Sequence, residues 1–222
     1  MLPENHYYCQ NWNPNLKNWL PLYWKGYKQT TNYTYRLEDL SDLNLVFSQF
    51  DTNIRTDIRK AENRFGLKVR RNYILDDFLQ LNEMVFKRQS KTNPYDISFL
   101  SNVIQTAVNN DRGSFFVAYD ECEKPHAGVF IVWDANVAYY VLGGGDPEIR
   151  NSGATSLCMW SAICFSAKLV KTFDFEGSMI EPIEKFIRAF GGMQTPYFSI
   201  SKRKKSLLNT LVYVKDALLF RY

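Results

Sequence analysis

The sequence has few of the residues that anchor metal and redox chemistry. Its 222 residues include four cysteines and two histidines. Cys9, Cys122, Cys158 and Cys164 form no CxxC pair and show no zinc-ligand spacing, which excludes a thioredoxin-like motif and a zinc finger. Cys158 and Cys164 fall in an apolar helical stretch and are expected to be buried free thiols. No ligand cluster is visible, so no metal is expected. Long apolar runs are also missing, and none approaches the ~20 residues of a bilayer-spanning helix. The opening Met-Leu-Pro-Glu-Asn-His has neither the basic nor the apolar region of a secretory signal, so a cytoplasmic location is expected. The charge excess is small, 27 Lys and Arg against 23 Asp and Glu, and does not by itself indicate nucleic-acid binding. There is no internal repeat and no low-complexity segment.

Aromatic residues, by contrast, are abundant: 14 Tyr and 16 Phe favour β-rich layers and ligand grooves. Residues 1–42 are rich in Asn, Trp, Tyr and Pro and read as an aromatic arm or the remnant of a first domain. Residues 43–202 carry the periodic patterns of a folded domain, and 203–222 form a tail. From Leu43 to Phe65, Ile54, Ile58, Ala61 and Phe65 recur at helical steps, and Gly66 sits at a C-cap position. A short strand over 68–73 precedes helices over 76–89 and 97–108. Segments 114–119, 128–133 and 137–142 alternate and turn as an antiparallel meander. A long apolar helix over 153–171 follows, then a strand (173–177), a helix (182–190) and a strand (196–201). Ser178 followed by Glu181 suggests a capping box. The expected class is α/β (α+β), a mixed and mainly antiparallel twisted sheet with helices on both faces.

The most informative stretch is 141–155, in which an apolar run ends in Gly143-Gly144-Gly145 and a polar loop leads into the long helix. A strand, a glycine turn and a helix N-terminus together make an anion site, because free N–H groups and the helix dipole converge there. Arg150 would supply a fork to phosphate and Gly153 a close backbone approach. An ordinary strand-to-helix turn is the alternative. The N–H groups of Leu142, Gly143 and Gly144 are candidates for holding a reacting carbonyl.

Asp174, Glu176 and Ser178 alternate and so fall on one strand face. In a covered sheet these carboxylates would be desolvated, which raises their pKa toward that of a general base. Glu176 is the preferred base, with Asp174 as partner or anchor and Tyr197 as an acid for a leaving group. A polar face that simply meets water is the alternative. Residues 51–71 carry seven basic side chains against three acids, with Arg55 and Arg59 one helical turn apart, and Lys202-Arg203-Lys204-Lys205 form a second cluster. Either could meet phosphates, although a solvated face is the commoner explanation.

The loop Arg150-Asn151-Ser152-Gly153-Ala154-Thr155 resembles the acyl-coenzyme A binding loop of the GNAT N-acyltransferase superfamily, with Thr155 where that loop usually has Gly or Ala. Three stretches are more specifically similar to the Fem-type branch, the proteins related to methicillin-resistance factors. They are Asn53-Ile54-Arg55 with Ile58-Arg59-Lys60-Ala61-Glu62, Gly143-Gly144-Gly145-Asp146 with Arg150-Asn151-Ser152-Gly153-Ala154, and Phe173-Asp174-Phe175-Glu176-Gly177-Ser178 with Phe190-Gly191-Gly192. The likeness implies a GNAT-like fold and transfer of an acyl or aminoacyl group, from acyl-coenzyme A or aminoacyl-tRNA, to an amine of a cell-envelope or polysaccharide precursor. It also implies a donor site at Leu142–Gly144 and Arg150–Thr155, substrate contacts at Arg55, Arg59 and Asp146, and peripheral contact with a membrane. Fem-type proteins usually carry two GNAT-like domains, and about 50 N-terminal residues are expected to be too few to form the first. A non-catalytic GNAT-fold protein that binds a glycan or a partner is the rival expectation.

Overall fold

A computed structural model describes residues 7–88 and 93–203. In chain order the elements are β1 (Tyr7–Asn11), α1 (Leu20–Tyr23), β2 (Lys28–Leu37), α2 (Leu43–Gln49), α3 (Thr52–Asn63), β3 (Lys68–Arg71), α4 (Leu75–Arg88), α5 (Ile97–Asn109), β4 (Gly113–Tyr119), β5 (Pro125–Trp133), β6 (Val137–Gly145), α6 (Ala154–Ser166), β7 (Thr172–Asp174), α7 (Glu181–Arg188) and β8 (Met193–Arg203). A 3₁₀ turn, Pro147–Ser152, lies between β6 and α6. The described residues divide into a larger unit, within 34–194, and a smaller one, 7–33 with 195–203.

The larger unit is a mixed sheet in the order β2-β7-β6-β5-β4-β3, antiparallel apart from the parallel β6–β7 pair. Both of its faces are covered. β4 is buried along its whole length and is apolar on both sides, as a strand between two helix layers must be. Its alternation divides the core. Phe116 and Ala118 join Val129, Ile131, Ile54, Ile58 and the α6 residues Leu157 and Ile163 on one face. Phe115, Val117 and Tyr119 join Phe78, Leu81, Leu100 and Ile104 from α4 and α5 on the other. Helix α6 is apolar all round because the sheet lies on one side and α3 on the other. Asp42 and Asp96 start α2 and α5 by accepting first-turn N–H groups, at 2.9 and 3.1 Å for Asp42 and 2.8 Å for Asp96.

The smaller unit pairs β1 with β8, Tyr7 opposite Arg203 and Asn11 opposite Ser199. Tyr8 and Tyr27 meet edge to face, and the Lys202 ammonium donates to the Lys25 carbonyl at 2.6 Å. Half of the second basic cluster, Lys204 and Lys205, lies outside the described residues, as does nearly all of the expected tail.

Four sequence expectations change. The run from Leu43 to Phe65 is two helices, broken at Phe50 and Asp51. Residues 34–37, assigned to the arm, belong to the larger unit because Arg36 and Leu37 pair with Asp174 and Phe173. The strand expected over 137–142 is longer: Gly143, Gly144 and Gly145 continue β6 opposite Val129, Gly128 and Ala127. The capping box is also absent. α7 starts at Glu181, Ser178 Oγ accepts the Ile180 N–H at 3.0 Å, and Glu181 pairs with Lys185.

Candidate functional site

The site lies where β6 outlasts its parallel neighbour. β7 pairs with β6 only over Thr172–Asp174 against Val137–Tyr139. Phe175 still donates to the Tyr35 carbonyl at 3.0 Å, but Glu176 (φ 59°) and Gly177 (φ 68°) are both left-handed and turn the chain away. β6 continues six residues further, to Gly145, and along that length β7 does not cover its edge.

Within this stretch β6 is bulged. Tyr140 pairs with Ile131 and Leu142 with Phe130, which leaves Val141 unopposed. The bulge reverses the strand's alternation: Ala138 and Tyr140 pack on the α6 side, whereas Leu142 packs on the α4–α5 side. It also fixes which polar groups face outward. Asp146 N–H donates to the His126 carbonyl at 2.9 Å, so by antiparallel alternation Gly144 faces β5 while Gly143 and Gly145 direct their amide groups to the open edge.

Val141 and Glu176 line the same depression, together with Val132 and Tyr139; its volume is about 380 Å³. All four residues belong to the larger unit. The Glu176 carboxyl keeps solvent contact, yet its desolvated surroundings, and next the charge of Asp174, push its pKa up. The Tyr139 hydroxyl donates to Asp134 at 3.1 Å, and its pKa is pushed up to about 12, mainly by burial. It therefore stays protonated at neutral pH.

Asp174 is an anchor. Its buried carboxylate accepts from Thr34 Oγ1 at 2.5 Å and from the Glu176 N–H at 2.8 Å, and it faces Arg36 Nε at 3.4 Å. Burial raises its pKa against the lowering effect of these partners. The expected alternation of Asp174, Glu176 and Ser178 on one strand face does not occur, because β7 ends at Asp174 and the next residues turn. The strand's last carboxylate instead holds the backbone that presents Glu176.

Beyond β6, the buried Asp146 accepts the Glu148 N–H at 2.9 Å and meets Lys124 at 3.3 Å, so its carboxylate is engaged in starting the 3₁₀ turn. Arg150 and Asn151 are exposed and Ser152 is buried. Gly153 is the N-cap of α6 with φ +78°, and a Cβ there would lie 2.2 Å from the Asp57 carbonyl oxygen of α3. Packing against α3 therefore requires a glycine here whether or not a ligand binds. The Ala154 N–H has Ser152 Oγ at 3.4 Å, a long contact, and the following first-turn N–H groups, of Thr155 and Ser156, have no acceptor within the helix. The Asp57 contact brings α3 against this turn. On α3, Arg55 is half-buried and donates to Thr52 Oγ1 at 3.3 Å, and Arg59 is exposed.

The structure thus brings Val141, Leu142, Gly143 and Glu176 to the end of the β6–β7 pairing, and Arg150–Thr155 to the start of α6. Tyr197 lies on β8 in the smaller unit and is half-buried. Sequence reasoning missed Val141, Tyr139 and Asn82. A β-bulge has no residue signature of its own, and Asn82 reads as one more polar helix residue.

Among known proteins, the acetyltransferase (GNAT) domain family matches residues 48–180. No curated protein matches the chain. Among solved structures, FemX superposes with a TM-score of 0.68 at 12% identity, over 81% of this chain and 67% of that one. The C-terminal domain of a putative lysylphosphatidylglycerol synthetase from Agrobacterium fabrum gives 0.61 at 12% identity, over 88% and 67%. L-PGS from Bacillus licheniformis gives 0.57 at 11%, over 88% and 68%. At these identities the likeness is one of fold, and this chain spans about two thirds of each. The family match covers more than half of the sequence, and the chain belongs to the acetyltransferase (GNAT) domain family of acyltransferases.

Proposed function

We propose that this protein transfers an acyl or aminoacyl group to the amine of an acceptor at the depression between β6 and Glu176. The observation that carries the reading is that the bulge residue Val141 and the pKa-raised Glu176 line one depression. Amide transfer needs both of these features. An N–H at the bulged edge stabilises the oxyanion as the amine adds to the acyl carbonyl, and a carboxylate takes the proton that the amine nitrogen must lose. The new C–N bond forms, the C–S bond of a thioester or the C–O bond of an aminoacyl ester breaks, and the leaving group departs with a proton. Val132, Tyr139 and Val141 line the depression beside the carboxyl, and Asp174 fixes the turn that holds it.

For the donor, acyl-coenzyme A and aminoacyl-tRNA both have phosphates for the α6 N-terminus. Arg150 and the N–H groups of Thr155 and Ser156 are the groups proposed to hold them, and Arg55 and Arg59 would extend the contact for a tRNA. The acceptor proposed is an amine-bearing cell-envelope precursor met in the cytoplasm or at a membrane surface. Among the described residues no helix is long and apolar enough to cross a membrane.

The test is Glu176→Gln. Turnover should fall about 100-fold or more with folding intact. Unchanged turnover would remove Glu176 from the mechanism, and loss of folding would assign it to structure. Thermal stabilisation of the wild type by acetyl-coenzyme A or by aminoacyl-tRNA identifies the donor, and indifference to both would sink the transferase reading.

A further inference from the structure

Helix α4 packs on the sheet through Leu75, Phe78 and Leu79, spaced i, i+3 and i+4. The next position on that stripe, i+7, is Asn82, where the helical period calls for an apolar residue. Asn82 is 3% exposed, and burying an amide there costs stability unless both of its ends are bonded. Both are. Asn82 Nδ2 donates to the Gly143 carbonyl at 2.9 Å, and Oδ1 faces Asn93 Nδ2 at 3.4 Å. The contact is close because Gly144 has no side chain: a Cβ there would lie 2.4 Å from the backbone of Leu81 and Asn82.

We infer that Asn82 is a positioning residue for the acyl donor, setting the polarity of the open edge of β6. The inference rests on the donor reading given above. Past the bulge, Gly143 and Gly145 turn both N–H and C=O outward, and a bare carbonyl oxygen at that edge would repel the oxygen of an acyl group and the charge that develops on it. The Asn82 amide caps the Gly143 carbonyl and offsets its negative end, so the edge offers mainly N–H groups. Holding that oxygen also gives the Gly143–Gly144 peptide, whose N–H faces β5, a second tether on its outer side. A buried polar residue on an apolar stripe, bonded to a stretch of β6 that β7 does not cover, is the kind of local rule-breaking expected near a working site.

The experiment measures acetyl-coenzyme A binding by calorimetry and amide exchange by mass spectrometry across β6, using the full chain and the variants Asn82→Leu, Asn82→Ser and Asn82→Asp. Leucine suits the stripe, so its melting point should stay near that of the wild type while exchange at Gly143–Gly145 speeds up about tenfold and donor affinity falls about tenfold. Aspartate sets a charged oxygen against the Gly143 carbonyl and should bind the donor most weakly of the three. Serine reports on the same bond if leucine fails to fold. Donor affinity within twofold of wild type in Asn82→Leu and Asn82→Asp would overturn the inference, and so would unchanged exchange at Gly143–Gly145. If the wild-type protein takes up neither acetyl-coenzyme A nor aminoacyl-tRNA, the donor reading fails, and this is distinguishable because the exchange comparison needs no ligand.

Discussion

The glycine of a strand-to-helix loop is readily credited to ligand binding, and Gly153→Ala tests that attribution. The structure sets two costs on an alanine there. The backbone is left-handed at φ +78°, which costs an L-residue about 1–2 kcal/mol. The new methyl would also stand 2.2 Å from the Asp57 oxygen and 2.8 Å from its carbonyl carbon, both backbone atoms of a packed helix that cannot swing aside. Overpacking of this kind costs about 1–3 kcal/mol. Together the loss is about 3 kcal/mol, which for a chain of this size lowers the melting point by about 6–12 °C. Gly145→Ala is the control. Its methyl would meet Ala127 Cβ at 3.6 Å and Thr155 Oγ1 at 3.7 Å, ordinary contacts, so its stability should stay within about 1 kcal/mol of wild type. Scanning calorimetry without any ligand decides the matter. A Gly153→Ala protein melting within about 2 °C of wild type would refute the claim that α3 packing dictates this glycine.

Three further outcomes are expected. Gly144→Ala, with its methyl 2.4 Å from the Leu81–Asn82 backbone, should lose about 2 kcal/mol or more in denaturant titration, whereas Gly143→Ala needs only the Tyr140 hydroxyl end to move and should lose less. Asp174→Ala should cost about 3 kcal/mol, because Arg36 and Thr34 would be left buried without their partner, and Asp174→Asn, which keeps an acceptor for the Glu176 N–H, should cost less. For Glu176 the folded pKa lies above the unfolded one, so between the two values the folded state binds more protons and stability falls as pH rises. Glu176→Gln should therefore be at least as stable as wild type at pH 7, with the difference vanishing below the ordinary glutamate range. The acid limb of kcat/KM should lie above that range in the wild type. A limb at the usual glutamate value would argue against desolvation of this carboxyl.

Several elements were legible because their causes are local. Helices α4 and α5, strands β3 and β4 and the meander follow from periodicity that neighbouring residues enforce, and the mixed sheet follows from their order. The turn ahead of α6 was legible from its glycine and from where it falls before a long apolar helix. The length of β7 was not. Phe173 to Ser178 alternate like a strand, but the Asp174 carboxylate draws in the Glu176 N–H and forces a left-handed turn, and that competition depends on Thr34 and Arg36 from a strand about 140 residues earlier. The full length of β6 was not legible for a related reason: its three glycines carry no side-chain strand signal, and only pairing with 127–129 keeps them extended.

The residues alone determined the fold class, the family likeness and the identity of Glu176 as the carboxyl most worth testing, because composition and spacing act through short-range sterics and burial. Only the tertiary structure decided that Val141 bulges, that β7 stops short of β6, that Asp174 serves as an anchor and that Asn82 reaches the open edge. Each of these depends on which strand edge or helix backbone comes to lie beside it, and partners brought together from distant parts of the chain leave no pattern in the local sequence.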